Sequence, residues 1–173
     1  MKTGIVGLGL RAANVLKMLI EDLPELDLVG YVDPDPCGLS ILDDVSHNLI
    51  RFESLDEMIE KCNLDLLWVA SPNHLHLEHI KVGLEAGLKV FSEKPIVTTK
   101  EDSFSLAKLI KIYGESQLIV GLVLRYSVHM RELRRILDAG TLGNITSLEA
   151  NEHIAPFHGS FFMRDWRRLE KYS

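Results

Sequence analysis

The chain has 173 residues, 46% hydrophobic and 25% charged, with a formal net charge of -6. Its length allows one domain, or one and part of a second, and its composition is that of a soluble protein with a sizeable core. The acidic balance would repel a phosphate backbone, so nucleic acid is not an expected partner, and no apolar run is long enough to span a bilayer.

Strand and helix signals alternate along the chain, which predicts an α/β fold with a parallel sheet. Lys2 to Val6 reads as a strand. Ala12, Val15, Leu16, Leu19 and Ile20 then fall on one stripe of a helix. Leu26 to Val32 is a second strand, stopped by Asp33-Pro34-Asp35-Pro36. From Cys37 to Asn48 the pattern decides nothing, and Leu49 to Phe52 reads as a short third strand. Ser54 with Glu57 has the form of a capping box for a helix over Leu55 to Lys61. The unbroken apolar run Leu64 to Ala70 predicts a central strand buried on both faces. A helix over Leu75 to Ala86 stops at Gly87, a strand follows over Lys89 to Phe91, and Thr99 caps a helix carrying Leu106, Leu109, Ile110 and Tyr113. Leu118 to Leu124 completes six strands.

Residues 1–121 thus read as a doubly wound Rossmann sheet. Residues 122–173 read as the incomplete start of an α+β domain for substrate binding and oligomerisation. There a helix runs from Ser127 to Ala139, a half-buried strand from Asn144 to Glu152, and the last stretch has no clear period. The chain starts on a strand, with Arg11, Gly7 and Gly9 where a signal peptide would need an apolar run. Cys37 and Cys62 have no CxxC spacing and read as the reduced thiols of a cytoplasmic protein.

Gly7-Leu8-Gly9-Leu10-Arg11-Ala12 fits G-x-G-x-x-A between a strand and a helix. In that context Gly7 permits a tight turn and Gly9 lets a pyrophosphate approach the backbone. Ala12 lets the helix pack on the sheet. The helix N-terminus then holds the anion, and Arg11 suits a turn with an anion nearby. Asp33 closes the second strand, where an acid accepts the ribose 2′-hydroxyl of NAD. Asp35 beside it would repel a 2′-phosphate, so the expected cofactor is NAD rather than NADP.

The loop Ser71-Pro72-Asn73-His74-Leu75-His76 follows the fourth strand, at the sheet edge where ligands lie. Ser71 or Asn73 could equally cap the next helix. His74, His76 and His79 do not complete a ligand set, and no metal is expected. Glu93-Lys94-Pro95 ends the fifth strand on the nicotinamide side of the cleft. Lys94 could orient a hydroxyl or relay a proton, with Glu93 positioning it. Pro95 is a candidate for a cis peptide.

Taken together and in this order, these motifs resemble the glucose–fructose oxidoreductase / inositol dehydrogenase / rhizopine catabolism (Gfo/Idh/MocA) family, over nearly the whole chain. The resemblance makes Lys94 the active-site lysine and brings Pro72, Asn73 and His76 to the nicotinamide end. The implied cofactor site is then Gly7, Gly9, Leu10, Arg11, Ala12, Asp33, Ser71, Pro72, Asn73, His76, Glu93 and Lys94. The implied substrate contacts are Lys94, Arg125, Trp166 and Arg167, the last two in a segment Asp165-Trp166-Arg167 that also reads as a packed aromatic beside surface arginines. Family members carry their catalytic histidine and aspartate later in the chain. His129, His153 and His158 come too early to match, so the expectation is a truncated chain, inactive alone and homo-oligomeric at full length.

The leading expectation is a dehydrogenase that moves a hydride between NAD and a secondary hydroxyl of a sugar, sugar derivative or cyclitol. Two rivals remain at this point: an NAD-binding regulatory or assembly module, and an enzyme whose bound NAD serves a reaction with no net redox change.

Overall fold

The computed structural model describes residues 1–42 and 49–172, without the side chains of 157, 158, 161, 162, 165 and 171. By their contacts the residues group into two compact units, one of Met1–Gly121 together with the chain from Glu170 onward, the other of Leu122–Leu169.

The first unit is built on strands β1 (Lys2–Val6), β2 (Asp27–Val32), β3 (Ile50–Arg51), β4 (Leu66–Val69), β5 (Lys89–Ser92) and β6 (Leu118–Val120). All neighbours pair in parallel, in the order β3-β2-β1-β4-β5-β6. This is the doubly wound order, in which the chain reverses direction across the sheet between β1 and β4. Among the described residues, four α-helices connect the strands: α1 (Leu10–Asp22), α2 (Leu55–Lys61), α3 (His76–Glu85) and α4 (Lys100–Tyr113).

Side chains on each strand alternate between two cores. Ile5, Leu8, Ala13, Leu16, Tyr31 and Trp68 form one, under α1. Leu55, Met58, Leu67, Val69, Ile80, Leu84, Val90 and Leu106 form the other, under α2, α3 and α4. On β4, Leu67 and Val69 face one core while Trp68 faces the other. All four β4 residues are buried, which is why this strand reads as an unbroken apolar run rather than an alternating one.

The caps follow the expected chemistry, with one shift. Ser54 Oγ accepts from Glu57 N at 3.2 Å, and Thr99 Oγ1 accepts from Asp102 N at 3.0 Å. The returning arm of the Ser54 box lands one residue early, because the Glu57 carboxylate accepts from Glu53 N at 3.1 Å. Gly87, at φ 77°, ends the α3 region.

One undecided segment is resolved in part, and two sequence expectations change. Leu39–Leu42 forms a single 3-10 turn within the undecided segment, whose residues 43–48 lie outside the described ones. The sixth strand stops at Val120 rather than Leu124. Gly121 N donates to Ser92 O at 2.8 Å, and the chain then turns through a 3-10 helix at Val123–Tyr126. An edge strand is only as long as its neighbour, and β5 ends at Ser92. Asn144 to Glu152 is exposed and forms no strand, because no described strand lies beside it to complete a ladder.

The second unit contains α5 (Val128–Asp138), followed by Gly140 at φ 67°. It also holds a short helix α6 (Pro156–Gly159) and 3-10 turns at Ser160–Met163 and Asp165–Arg168. Among the described residues, no helix is long and apolar enough to cross a membrane.

Gly7 shows how closely the sheet is fitted at the end of β1. Its φ is +87°, and a Cβ there would lie 2.4 Å from Ser71 N and 2.5 Å from the Ala70 carbonyl. Both obstacles are backbone, so neither can move cheaply. Gly7→Ala is therefore expected to cost about 2–4 kcal/mol in urea unfolding, from strain at positive φ plus overpacking. A loss below about 0.5 kcal/mol, the range of ordinary surface changes, would contradict this account.

Candidate dinucleotide site at the carboxyl ends of the strands

Because the strands are parallel, their carboxyl ends lie along one edge of the sheet. Gly7 follows β1, Asp33 follows β2, Ser71 follows β4 and Glu93 follows β5. The residues expected to bind the cofactor thus meet at the edge where β1 and β4 lie side by side.

The turn after β1 is held by backbone bonds. Gly7 N donates to Val32 O at 2.9 Å. Leu8 N donates to Asp33 Oδ2 at 2.6 Å, and Leu8 O accepts from Gly38 N at 2.9 Å. The other carboxylate oxygen of Asp33 accepts from Asp35 N at 2.8 Å. Asp33 therefore does two things at once: it orders its own loop and grips the phosphate turn. Each oxygen keeps a lone pair for a further donor such as a hydroxyl.

Gly9 is the N-cap of α1, with ordinary extended angles (φ -77°, ψ 173°) and no side-chain cap. No acidic residue occupies the first helical turn. A Cβ at Gly9 would meet nothing within 4 Å. Neither backbone conformation nor packing requires glycine here, and the space beside the uncapped N–H groups is open. That combination suits an anion at the helix N-terminus. Leu10 and Arg11 are exposed at the start of α1, while Ala12 is buried against the sheet.

Gly38 went unnoticed in the sequence. A Cβ there would lie 2.6 Å from Gly9 O and 2.7 Å from Ala13 Cβ. Its mark in the sequence is its place two residues beyond Asp33-Pro34-Asp35-Pro36.

In the loop after β4, Ser71 and His76 are buried, and Pro72 and Asn73 are half-buried. Neither the 3-10 turn Asn73–Leu75 nor α3 carries a side-chain cap. The capping role open to Ser71 or Asn73 is thus not what the structure uses. Instead Ser71 Oγ lies 2.8 Å from His79 Nδ1. His76 Nε2 lies 2.8 Å from Ser71 O, and its Nδ1 lies 2.7 Å from Pro95 O in the loop after β5. His76 therefore faces main chain on both sides.

In the loop after β5, the Lys94–Pro95 peptide is cis. Glu93 is buried, with its N–H donating to Val69 O at 2.8 Å, and Lys94 is exposed. Glu93 and Lys94 form no ion pair with each other or with another described residue. The ammonium is left for solvent or ligand, and Glu93 does not position it by a salt link.

Arg125, Trp166 and Arg167 belong to the second unit. Arg125 is exposed in a 3-10 turn before α5. The Arg167 guanidinium lies over the Trp166 ring, 4.4 Å from its centroid.

Burial pushes the His79 imidazole below its ordinary value, Glu78 opposes that shift, and His76 and His74 add to it. The folded chain thus resists a proton that the unfolded chain accepts. This histidine's contribution is complete above the unfolded value of about 6.5 and is lost as pH falls below it. Urea unfolding from pH 8 to pH 5 should show stability falling in that window, with a shallower fall in His79→Gln. Equal slopes in the two proteins would refute the effect.

Residues 1–122 match an oxidoreductase family with an NAD-binding Rossmann fold, Gfo/Idh/MocA. The inositol 2-dehydrogenase 3 of Saccharopolyspora erythraea is 27% identical over 143 residues, which are 82% of this chain and 42% of that protein. A Bacillus subtilis (strain 168) protein, provisionally named the oxidoreductase YteT, is 26% identical over 96% of this chain and 40% of its own length. Scyllo-inositol dehydrogenase from Lactobacillus casei, solved with bound NAD(H) and scyllo-inositol, superposes with a TM-score of 0.73 at 28% identity. That fit covers 84% of this chain and 43% of that one. The chain spans about two fifths of the length of these relatives. The family match covers well over half of the chain, so the chain belongs to the Gfo/Idh/MocA oxidoreductase family and carries its NAD-binding Rossmann domain.

Proposed function

We propose that the chain is the dinucleotide-binding part of a dehydrogenase that prefers NAD to NADP and acts on a secondary hydroxyl of a sugar, sugar derivative or cyclitol. The observation that carries this reading is the open space at Gly9 beside the uncapped N-terminus of α1. A pyrophosphate fits there, with its charge on the free N–H groups. Asp33 sits where the adenosine ribose falls and still has lone pairs for its hydroxyls. Asp35 follows within two residues, so a 2′-phosphate would meet two carboxylates.

Bound NAD supplies the hydride acceptor for alcohol oxidation. The chain's own part is to hold the dinucleotide and to present Lys94 at the nicotinamide side. An exposed, unpaired ammonium can donate a hydrogen bond to the substrate oxygen and stabilise charge developing on it. The proposed substrate contacts on the second unit are Arg125 and the Trp166–Arg167 pair. Substrate class rests on the resemblance and on the relatives, two of which are named for inositol.

Calorimetric titration with NAD and NADP tests the binding half. The unchanged chain should bind NAD more tightly. Gly9→Val should keep its urea midpoint, because it enters empty space, yet lose NAD affinity by about tenfold or more, as expected when an ion-to-N–H contact is blocked. Asp33→Ala should narrow the NAD-to-NADP gap. A Gly9→Val chain that binds NAD normally would remove the main support for the site. For the chemistry, Lys94→Ala in the intact enzyme should lower NADH production from a sugar or cyclitol alcohol by about two to four orders of magnitude and leave NAD affinity nearly intact. Unchanged turnover would exclude the lysine's role.

A further inference from the structure

His76 is 1% exposed, yet it belongs to the loop where ligands were expected. Its two ring nitrogens face two main-chain carbonyls from different loops: Ser71 O after β4 and Pro95 O after β5. A carbonyl only accepts, so the ring is the donor in either bond, with the proton on Nδ1 in one tautomer and on Nε2 in the other. A ring so enclosed has no edge left for a cofactor.

The position of Pro95 gives this bridge its meaning. Lys94 stands between two anchored peptides. On one side, Glu93 N–H continues the sheet ladder to Val69 O at 2.8 Å, and Glu93 O accepts from Ser92 Oγ at 3.1 Å. On the other side, beyond the end of β5, Pro95 O is held by His76. The ladder fixes where the loop leaves the sheet, and His76 fixes where it goes next.

The two loops also define a place along the dinucleotide. On the proposed reading the pyrophosphate would lie at α1 and the adenosine ribose at Asp33, toward β2. A dinucleotide crosses the crevice at the point where the strand order reverses, so its nicotinamide half extends toward β4 and β5. We infer that His76 is a positioning residue: it joins the loops after β4 and β5 and so sets the wall against which the nicotinamide half of NAD rests. This rests on the dinucleotide reading above and adds a specific role to a residue that does not itself touch the ligand.

The test compares NAD with ADP-ribose, which has the adenosine, the pyrophosphate and the second ribose but lacks nicotinamide. Both are titrated by calorimetry into the unchanged 173-residue chain and into His76→Leu, which keeps the bulk and removes the ring donor. In the unchanged chain NAD should bind more tightly than ADP-ribose. In His76→Leu that advantage should shrink by about fivefold or more, the scale of a lost hydrogen bond, while ADP-ribose affinity stays within about twofold. A general loss of stability would lower both affinities together, and that result overturns the inference. So does an unaltered ratio, or a wild-type chain that binds the two ligands equally. If His76→Leu does not fold, His76→Met, which has no N–H donor in its side chain, carries the same comparison with the same criteria. A folded wild-type chain that binds neither ligand defeats the dinucleotide reading itself, and this inference with it.

Discussion

The peptide group of Leu8 is held at both ends by the segment that leaves β2. Its N–H goes to the Asp33 carboxylate and its C=O to Gly38 N–H, while Gly7 N–H reaches Val32 O. A bond to a charged acceptor is worth about 1.5–3 kcal/mol, more than a neutral one. Such bonds hold the turn between β1 and α1 in the one shape that leaves Gly9 open. The proposed phosphate site is therefore a property of two segments, residues 7–9 and 33–38, and neither forms it alone.

A second pair of segments supports the other half of the crevice. The loop after β4 is tied to α3 through Ser71 and His79, and to the loop after β5 through His76. Gly7 links the two halves, since its missing Cβ is what lets the first turn lie against Ser71 N. Loops are the mobile parts of most folds, yet here the crevice is bounded by loops whose main chains are bonded to one another. That arrangement favours binding, because less order has to be imposed when a ligand arrives.

Burial divides the labour among the polar residues. Ser71, His76 and Glu93 are buried, while Arg11 and Lys94 are exposed. Ser71 meets His79 and His76 meets main chain, so these two buried side chains set geometry. The exposed cations have no described partner, which leaves them open to the roles proposed for them above.

Much of this was legible in the sequence because it depends on local chemistry. The strand-turn-helix at Gly7 to Ala12, the caps at Ser54 and Thr99, and the apolar run of β4 are set by residues a few positions apart. The order of these motifs was enough to point to the family. Other features needed the folded chain. Gly38 matters through its approach to Gly9, and His76 through two carbonyls, one of them nineteen residues away in the chain. Leu118 to Leu124 and Asn144 to Glu152 both have strand-like composition, but a strand's extent is decided by the ladder beside it, and composition does not report the neighbour. The sequence by itself determined the types of the main elements and which residues sit at the ends of strands. Tertiary structure decided which of those residues stay exposed and which face main chain, because that depends on contacts between segments far apart in the chain.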